Sequence, residues 1–358
     1  MRLLHRLALG SCLGIVIAAA VVFPRTGQKT PKPAAAWIVQ TSGTTASLRG
    51  VSAVDDRTAW ASGSKGTVLR TVDGGATWMA MIVPGAESSD LRDIEAFSAD
   101  AALAMGIGRP AKIFRTDDGG KTWVQTYHND AEGIFLDGLA FFDKKNGLAV
   151  GDPMDDRLFL LATADGGKTW TPLPPESRPL AHEGEAAFAA SGTSLAVQGT
   201  NRTWLATGGP VSRVWRSEDR GRRWEAVPSS LLEGTSSTGG FSVVFFDERN
   251  GITVGGDYKA EAAAVGNAAV STDGGKTWAS VKEKQPGGFR EAAAFVPGTK
   301  PLMAVAVGPS GSDFSLDGGR SWTSIETPAG FHAVSFARKG RTGWAVGRNG
   351  LIARFDLR

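Results

Sequence analysis

Short stretches of β-branched, small apolar and aromatic residues recur along most of the chain, and glycine-rich turns separate these stretches from one another. Residues 48–54, 58–63 and 66–71 are three such stretches in a row, and a fourth begins at Trp78. Short apolar or β-branched runs of four to eight residues between glycine-rich turns are typical of β-strands. The same order of four stretches returns several times along the chain. We therefore predict an all-β protein built from repeated four-stranded units.

An eight-residue motif, Ser/Thr-x-Asp-Gly-Gly-x-Thr-Trp with small variations, lies between the third and fourth stretches of six units. Its closing tryptophans are 45, 47, 54, 54 and 44 residues apart. The Asp-Gly-Gly predicts a hairpin turn, because glycine adopts positive φ cheaply and aspartate accepts backbone N–H groups. A repeat of about 40–50 residues with several strands predicts propeller blades. We expect a structural role for the motif aspartates Asp73, Asp118, Asp165, Asp219, Asp273 and Asp317. The fourth copy has Arg220 in place of a glycine, so we expect a locally different turn there.

A seventh unit follows the last motif but contains only three stretches, at residues 331–336, 342–347 and 350–355. Residues 37–41 match the stretch that follows each motif tryptophan. An N-terminal strand that completes the last blade leaves no open sheet edge in the ring. We therefore predict a seven-bladed β-propeller over residues 37–358, closed by an N-terminal strand.

The first 24 residues differ from the rest, with a basic start followed by an apolar run over residues 7–23. This pattern is typical of a signal peptide, with an uncleaved N-terminal membrane anchor as the alternative. Residues 25–36 predict a flexible linker. In both cases we expect an exported protein, in the periplasm or at the extracytoplasmic face of the membrane.

Composition argues against several classes of partner and cofactor. Without the first 24 residues the chain carries 37 lysines and arginines against 36 acidic residues, with no basic run, so we expect no nucleic-acid partner. Cys12 is the only cysteine and the four histidines are dispersed, which predicts no metal site. No dinucleotide fingerprint is present, so we expect no cofactor. We also expect a monomer.

In a propeller the starts of the innermost strands converge on one end of the central channel. At these positions the sequence has Arg49, Arg92, Asp137, Glu183 or Glu185, Ser242, Arg290 and His332. We predict that Arg49, Arg92, Arg290 and His332 form a basic mouth for a carboxylate or a peptide terminus. The alternative is that they are solvated charges at strand ends.

The middle blades depart from the repeat, and inserted loops are where function is usually added to a repeat. The candidates for a hydrolytic site in these blades are Asp152, Glu183, Glu185, Asp257 and Tyr258. Carboxylates at such positions suit acid–base chemistry, and ordinary loop carboxylates are the alternative. We assign no catalytic residue and expect a protein that is not an enzyme. If it is one, a glycosidase fits these residues better than an oxidoreductase.

The eight-residue motif resembles the Asp-box (BNR) repeat. Together with Trp37, a blade such as residues 60–75 and the exported single propeller, it makes residues 37–356 resemble the photosystem II stability/assembly factor family, whose bacterial homologues are often named oxidoreductases. The resemblance implies peripheral Asp boxes and an arginine-rich face that binds a membrane-protein precursor. We therefore expect an exported, non-catalytic propeller that captures a membrane or envelope protein. A glycoside hydrolase, sialidase-like or other, is the alternative function.

Overall fold

The computed structural model describes residues 35–326 and 328–357, which form seven four-stranded antiparallel sheets. The innermost strand of each sheet packs against the innermost strand of the next, and the seventh packs against the first. This is the predicted seven-bladed β-propeller. Most of the predicted leader and linker, residues 1–34, lies outside the described residues.

Blades one to three follow one another along the chain. They are β2 (Leu48–Ala53), β3 (Ala59–Gly63), β4 (Thr67–Thr71) and β5 (Met79–Ile82); β6 (Leu91–Ala96), β7 (Ala102–Gly106), β8 (Ala111–Thr116) and β9 (Val124–Asn129); and β10 (Leu136–Phe141), β11 (Gly147–Met154), β12 (Arg157–Thr163) and β13 (Thr171–Pro172).

Blades four to six continue in the same order. They are β14 (Leu195–Gln198), β15 (Arg202–Ala206), β16 (Arg213–Ser217) and β17 (Glu225–Pro228); β18 (Thr238–Phe245), β19 (Gly251–Asp257), β20 (Ala268–Ser271) and β21 (Ala279–Ser280); and β22 (Ala292–Phe295), β23 (Ala304–Gly308), β24 (Gly311–Ser315) and β25 (Thr323–Ile325). Blade seven combines β26 (Phe331–Phe336), β27 (Gly343–Gly347) and β28 (Ile352–Leu357) with β1 (Ala35–Gln40). Two short 3-10 turns lie at Pro175–Ser177 and Arg348–Gly350. Within the two described ranges, no helix has the length and apolar character needed to cross a bilayer.

The strands differ in composition because the sheets are buried to different depths. The second strands β3, β7 and β23 are buried at every residue, since each packs between two neighbouring blades. These strands are short runs of alanine, valine and other small or apolar residues. The outer strands β5 and β9 have no fully buried residue and carry polar or amphipathic side chains. The core therefore lies between the blades.

Strand β1 closes the ring as predicted. It pairs with β28, with Trp37 opposite Phe355. The Trp37 ring packs 5.1 Å from Phe331 and 5.0 Å from Phe355, measured between centroids. Its Nε1–H donates to Ser312 Oγ of the sixth blade at 2.9 Å. One tryptophan thus joins the N-terminal strand, the last blade and the blade before it.

All six Asp boxes form the same hydrogen-bonded turn. In the first, Thr71 Oγ1 donates to Asp73 Oδ1 at 2.8 Å, and Thr77 donates to Asp73 from its backbone N–H and its hydroxyl. These hydrogen bonds from Thr77 and Thr71 lower the pKa of Asp73 to about 2. The expectation of a different fourth turn was wrong: Arg220 adopts a φ of 64° where the other boxes have glycine, and the turn is kept.

The fourth blade differs from the prediction. Its innermost strand was expected to begin at residue 185, but it is β14, which begins at Leu195. The preceding residues leave the blade instead, because Ala186 pairs with Gly208 beyond the end of β15 rather than joining a strand ladder. We call residues 186–193 the plug segment, since they cross the central channel.

Candidate functional site

The plug segment contacts four other blades. Arg92 Nη1 of blade two donates to the carbonyl oxygen of Ala189 at 2.9 Å. Ser191 Oγ donates to the carbonyl oxygen of Glu291, next to blade six, at 3.0 Å. Further contacts join Thr193 Oγ1 to Ser242 Oγ of blade five, at 2.8 Å, and Gly192 to Gly138 of blade three. The segment is therefore fixed on several sides and divides the channel into two cavities.

The entrance cavity has a volume of about 550 Å³ and is lined by residues 186–190 together with the starts of the innermost strands. In five blades the lining residue lies at a β-bulge, where the register between the first two strands shifts by one residue. The bulge residues that line the cavity are Arg49, Arg92, Asp137, Phe241 and His332. A bulge re-aims a side chain, and here it turns one residue per strand into the channel.

In blade six, the residue that faces the cavity is not the one that the sequence predicted. Glu291, immediately before β22, lines the cavity, whereas Arg290 is only 2 % exposed and is not part of the lining. Arg290 occupies the core position that Leu48 and Leu136 hold in other blades. Its Nε–H donates to Asp313 Oδ2 at 2.7 Å, so its charge is neutralised inside the blade. In blade five the lining residue is likewise Phe241 rather than Ser242.

Each arginine of the entrance cavity already has an acidic partner. Arg49 Nη2 lies 3.8 Å from Glu291 Oε2, and Arg92 Nε lies 2.8 Å from Asp90 Oδ2. His332 Nδ1 lies between Arg49 and Glu291, 3.1 Å from Arg49 Nη1 and 2.9 Å from Glu291 Oε2. A single ring nitrogen donates to Glu291 when it is protonated and accepts from Arg49 when it is not. The basic side of the cavity is thus an internally paired network.

Asp137 and Asp152 form a second, acidic side. Burial and the neighbouring Asp152 carboxylate raise the pKa of Asp137 well above its usual range, although Arg92 and the Ala189 amide oppose this in part. Burial raises the pKa of Asp152 to about 6, against a smaller opposing effect of the Ala187 amide. Two carboxyl groups that share one buried site do not both ionise readily. The second carboxyl of the pair is therefore harder to ionise than the first.

Aromatic rings form the third side of the cavity. Phe188 of the plug segment stacks on Phe241, with centroids 3.9 Å apart and planes within 6°. Tyr258 meets both rings edge-on, and Phe289 packs edge-on against Phe241. Tyr258 is 42 % exposed and lies at the rim. Sequence reasoning did not propose these phenylalanines, since an aromatic residue near a blade start is equally typical of a core position.

The structure brings only part of the proposed hydrolytic set into the cavity. Asp152 and Tyr258 line it, but Glu183, Glu185 and Asp257 do not. Glu185 is buried at 1 % exposure and accepts hydrogen bonds from Arg213, Thr207, Trp215 and the His182 amide. Burial raises its pKa, but the bonds from Arg213 and Thr207 lower it overall. Glu183 is exposed, and Asp257 Oδ1 accepts the backbone N–H of Lys259 at 2.9 Å.

The opposite cavity, of about 500 Å³, lies on the other side of the plug segment. It is lined by later residues of the same innermost strands and by residues 191–193. Asp93 is its most buried acid and accepts the backbone N–H groups of Ile94 and Leu139, each at 2.7 Å. Across residues 35–326 and 328–357, no group of three or more His, Cys, Asp or Glu side chains is arranged to hold a metal ion.

Comparisons with known proteins agree with this architecture. A family model described as Photosynthesis system II assembly factor YCF48 matches residues 30–131, and a BNR/Asp-box repeat model matches residues 269–280. The chain is a BNR-type propeller that resembles YCF48. No curated protein sequence is significantly similar to it.

Among solved structures, YCF48 bound to a D1 peptide is 18% identical, with 90% of this chain and 97% of that chain covered and a TM-score of 0.64. YCF48 from Cyanidioschyzon merolae is 19% identical, with coverages of 90% and 99% and a TM-score of 0.61. A GH74 xyloglucanase from Xanthomonas campestris is 17% identical, with coverages of 90% and 54% and a TM-score of 0.61. At these identities the likeness shows a shared fold between this propeller, YCF48 and a glycosidase.

Proposed function

We propose that this protein is a non-catalytic binding propeller that captures an extended segment of a protein partner in the entrance cavity. The observation that carries the proposal is the cavity itself, which is open at one end of the channel, floored by the plug segment and lined with aromatic and charged groups. Its volume of about 550 Å³ falls within the usual range of ligand pockets, about 300–1,000 Å³. It therefore suits a few residues of an extended chain rather than a folded domain.

The resemblance to YCF48 supports a peptide as the ligand, since one YCF48 structure contains a D1 peptide. The apolar N-terminal run supports export, and an exported propeller would meet partners of the membrane or envelope. We include both in the proposal: the protein acts outside the cytoplasm, as a monomer, in the assembly of a membrane or envelope protein. The photosystem partner itself is not part of the proposal, because the acidic side of this cavity departs from a purely basic face.

Site-specific photocrosslinking tests peptide capture. A photoreactive phenylalanine analogue replaces Tyr258 at the cavity rim, or Val124 on the outer strand β9 as the control, which is 64 % exposed. After irradiation in the source cells, we expect position 258 to crosslink to one loop or terminus of one envelope protein, identified by peptide mass spectrometry. Combining the Tyr258 probe with Phe188→Ala, which removes one ring of the stacked pair, should abolish that crosslink. Equal labelling from both positions, or crosslinks scattered over many proteins, would contradict the proposal.

Asp137 and Asp152 favour glycoside hydrolysis as the second candidate function. A carboxyl group with a raised pKa beside a second carboxylate is an arrangement that glycosidases use. The four carboxylates first considered cannot work together, because Glu185 is held by Arg213 and two others lie outside the cavity. A panel of plant, bacterial and mucin glycans decides between the two functions. Turnover that disappears in Asp152→Asn would establish the hydrolase, whereas the binding function predicts no turnover.

A further inference from the structure

We propose that Asp137 and Asp152 form a subsite for one organic cation, the guanidinium or ammonium group of an arginine or lysine side chain. The inference deepens the proposed function, because it rests on a peptide ligand and adds that the captured segment carries a basic residue in the cavity. It also reverses the sequence-based expectation of a basic mouth that receives a carboxylate.

The pairing of charges in the entrance cavity supports a cationic ligand. Arg49 and Arg92 have Glu291 and Asp90 as partners, and Arg348 at the rim lies 2.6 Å from Glu261. No lysine or arginine of the described ranges lies within ion-pair distance of Asp137 or Asp152, the two carboxyls on the acidic side, although the more distant Arg92 charge lowers the pKa of Asp137 in part. A positively charged group is therefore the partner that this cavity lacks.

Because Asp137 and the Oδ1 atom of Asp152 are buried, the lack of a partner for their carboxyl oxygens costs free energy. Asp137 is fully buried, and neither of its carboxyl oxygens makes a hydrogen bond of ordinary geometry within the described part of the chain, although the Ala189 amide approaches Asp137 and the Ala187 amide approaches Asp152 closely enough to lower their pKa values in part. Asp152 Oδ1 is buried and unpartnered in the same way. Buried polar atoms in folded proteins are almost always hydrogen-bonded, because an unpaired one loses its hydration without compensation. The acidic side of the cavity therefore has no side-chain donor of its own, and Asp152, which is only partly buried, is the carboxyl that a donor in the cavity can reach.

The net charge of the two carboxyl groups determines which ligand charge complements the subsite. Burial and the neighbouring Asp152 carboxylate raise the pKa of Asp137 well above its usual range, and burial raises the pKa of Asp152 to about 6, so the two carboxyls do not both ionise readily and Asp152 carries most of the charge. The subsite thus presents about one negative charge, which matches a monovalent cation. Calcium requires about six to eight oxygen ligands, many more than two aspartates supply.

The aromatic side of the cavity selects an organic cation. Phe188 lies in the plug segment between Ala187 and Ala189, whose backbone amides approach Asp152 and Asp137. Its ring stacks on Phe241, and both rings meet Tyr258. Ring faces attract guanidinium and ammonium groups, and their apolar surface packs against the methylene stem of lysine or arginine. A basic side chain can therefore use both the acidic and the aromatic side.

Calorimetric titration of the whole propeller with small probes tests the subsite. N-acetyl-arginine amide and N-acetyl-lysine amide carry the charge, and N-acetyl-citrulline amide is the neutral analogue of similar shape. We expect the charged probes to bind at least about tenfold more tightly than the citrulline probe, as a charged hydrogen bond to a buried carboxylate implies. Asp152→Asn should remove this discrimination, because it removes the carboxyl that carries the negative charge, whereas Asp137→Asn alone should weaken it less. Glu132→Gln, at an exposed carboxylate before β10 and outside the cavity lining, should retain it.

Thermal melts followed by circular dichroism check that each variant is folded, and Asp152→Asn carries the test if Asp137→Asn does not fold. Equal affinity for the arginine and citrulline probes, or discrimination that survives both substitutions, would overturn the cation subsite. If position 258 nevertheless crosslinks to one partner segment, the binding function stands without the cation. If the charged probes bind selectively but no partner is crosslinked, the subsite stands and the peptide-capture function falls.

Discussion

Asp93 shows how one buried side chain links the ring to the plug segment. It is buried in the wall of the opposite cavity, and the carboxyl group lies against Gly192. Burial raises its pKa to about 8; the bond from the Leu139 amide opposes the rise, and the nearby Glu95 adds to it. The folded protein therefore holds a proton at neutral pH that the unfolded chain releases.

This proton predicts an unusual pH dependence of stability. Between an unfolded-state pKa of about 4 and the folded-state pKa of about 8, the native state binds more protons, so the free energy of unfolding falls as pH rises. The contribution of Asp93 is at most about 1.4 kcal/mol per pH unit. Asp93→Asn should flatten this fall, measured by urea unfolding at pH 5, 6.5 and 8. An unchanged slope would contradict the prediction, and Asp100→Asn, at an exposed acid, is the control.

Individual residues also show how much of the site could be predicted from the sequence. Arg49, Arg92 and His332 were proposed from their place at the start of a strand, and the structure puts all three in the cavity lining. Arg290 was proposed by the same rule but is buried in the core, and the next residue, Glu291, faces the channel. A one-residue change of register moves a side chain to the other face of a strand. The register at the start of β22 depends on its pairing with β23, which the sequence of β22 alone does not reveal.

At the scale of elements, regular parts of the chain were predictable and the irregular part was not. β1 could be assigned because residues 37–41 repeat the pattern that follows every Asp box, and it pairs with β28 as expected. The plug segment has no counterpart in the other blades, so no repeat fixes its place. Its path is set by long-range contacts with blades two, three, five and six, and such contacts are not encoded in local hydrophobic periodicity.

Gly192 is the residue on which the path of the plug segment most depends. Its φ is +77°, and an added Cβ would lie 2.2 Å from Asp93 Cγ. Gly192→Ala should therefore destabilise the protein by more than the roughly 1 kcal/mol that a strained backbone alone costs. Gly199→Ala is the matched control, since Gly199 has a φ of +62° but no atom within 4 Å of the added Cβ. Equal shifts in the urea midpoint of the two variants would mean that the plug segment is not tightly packed against Asp93.

At the scale of the whole molecule, two sets of carboxyl groups give opposite pH dependences. Hydrogen bonds from the box threonines lower the pKa of Asp73 and Asp118 to about 2, and a closely similar turn recurs around the ring. A depressed pKa contributes stability above about pH 4, and this stability is lost as pH falls towards 2. Asp93, Asp137 and Asp152 have raised pKa values and act in the other direction above pH 4.

We therefore expect the free energy of unfolding to be greatest near pH 4 to 5 and to fall on both sides. Chemical denaturation from pH 2 to 9, followed by tryptophan fluorescence, measures the profile. Asp73→Asn should reduce the acid-side loss and leave the fall above pH 5 unchanged. Stability that rises steadily from pH 4 to 8 would contradict the assignment of the raised pKa values.

The plug segment makes this ring different from a simple repeat protein. In a repeat protein each unit contacts only its neighbours, so damage to one blade is felt mainly by the two beside it. Here Arg92, Gly138, Ser242 and Glu291 all contact one short segment that belongs to blade four. The segment therefore connects blades that are not neighbours in the ring. A ligand that contacts Phe188 in the entrance cavity thus contacts a segment that belongs to blade four and is held by four other blades.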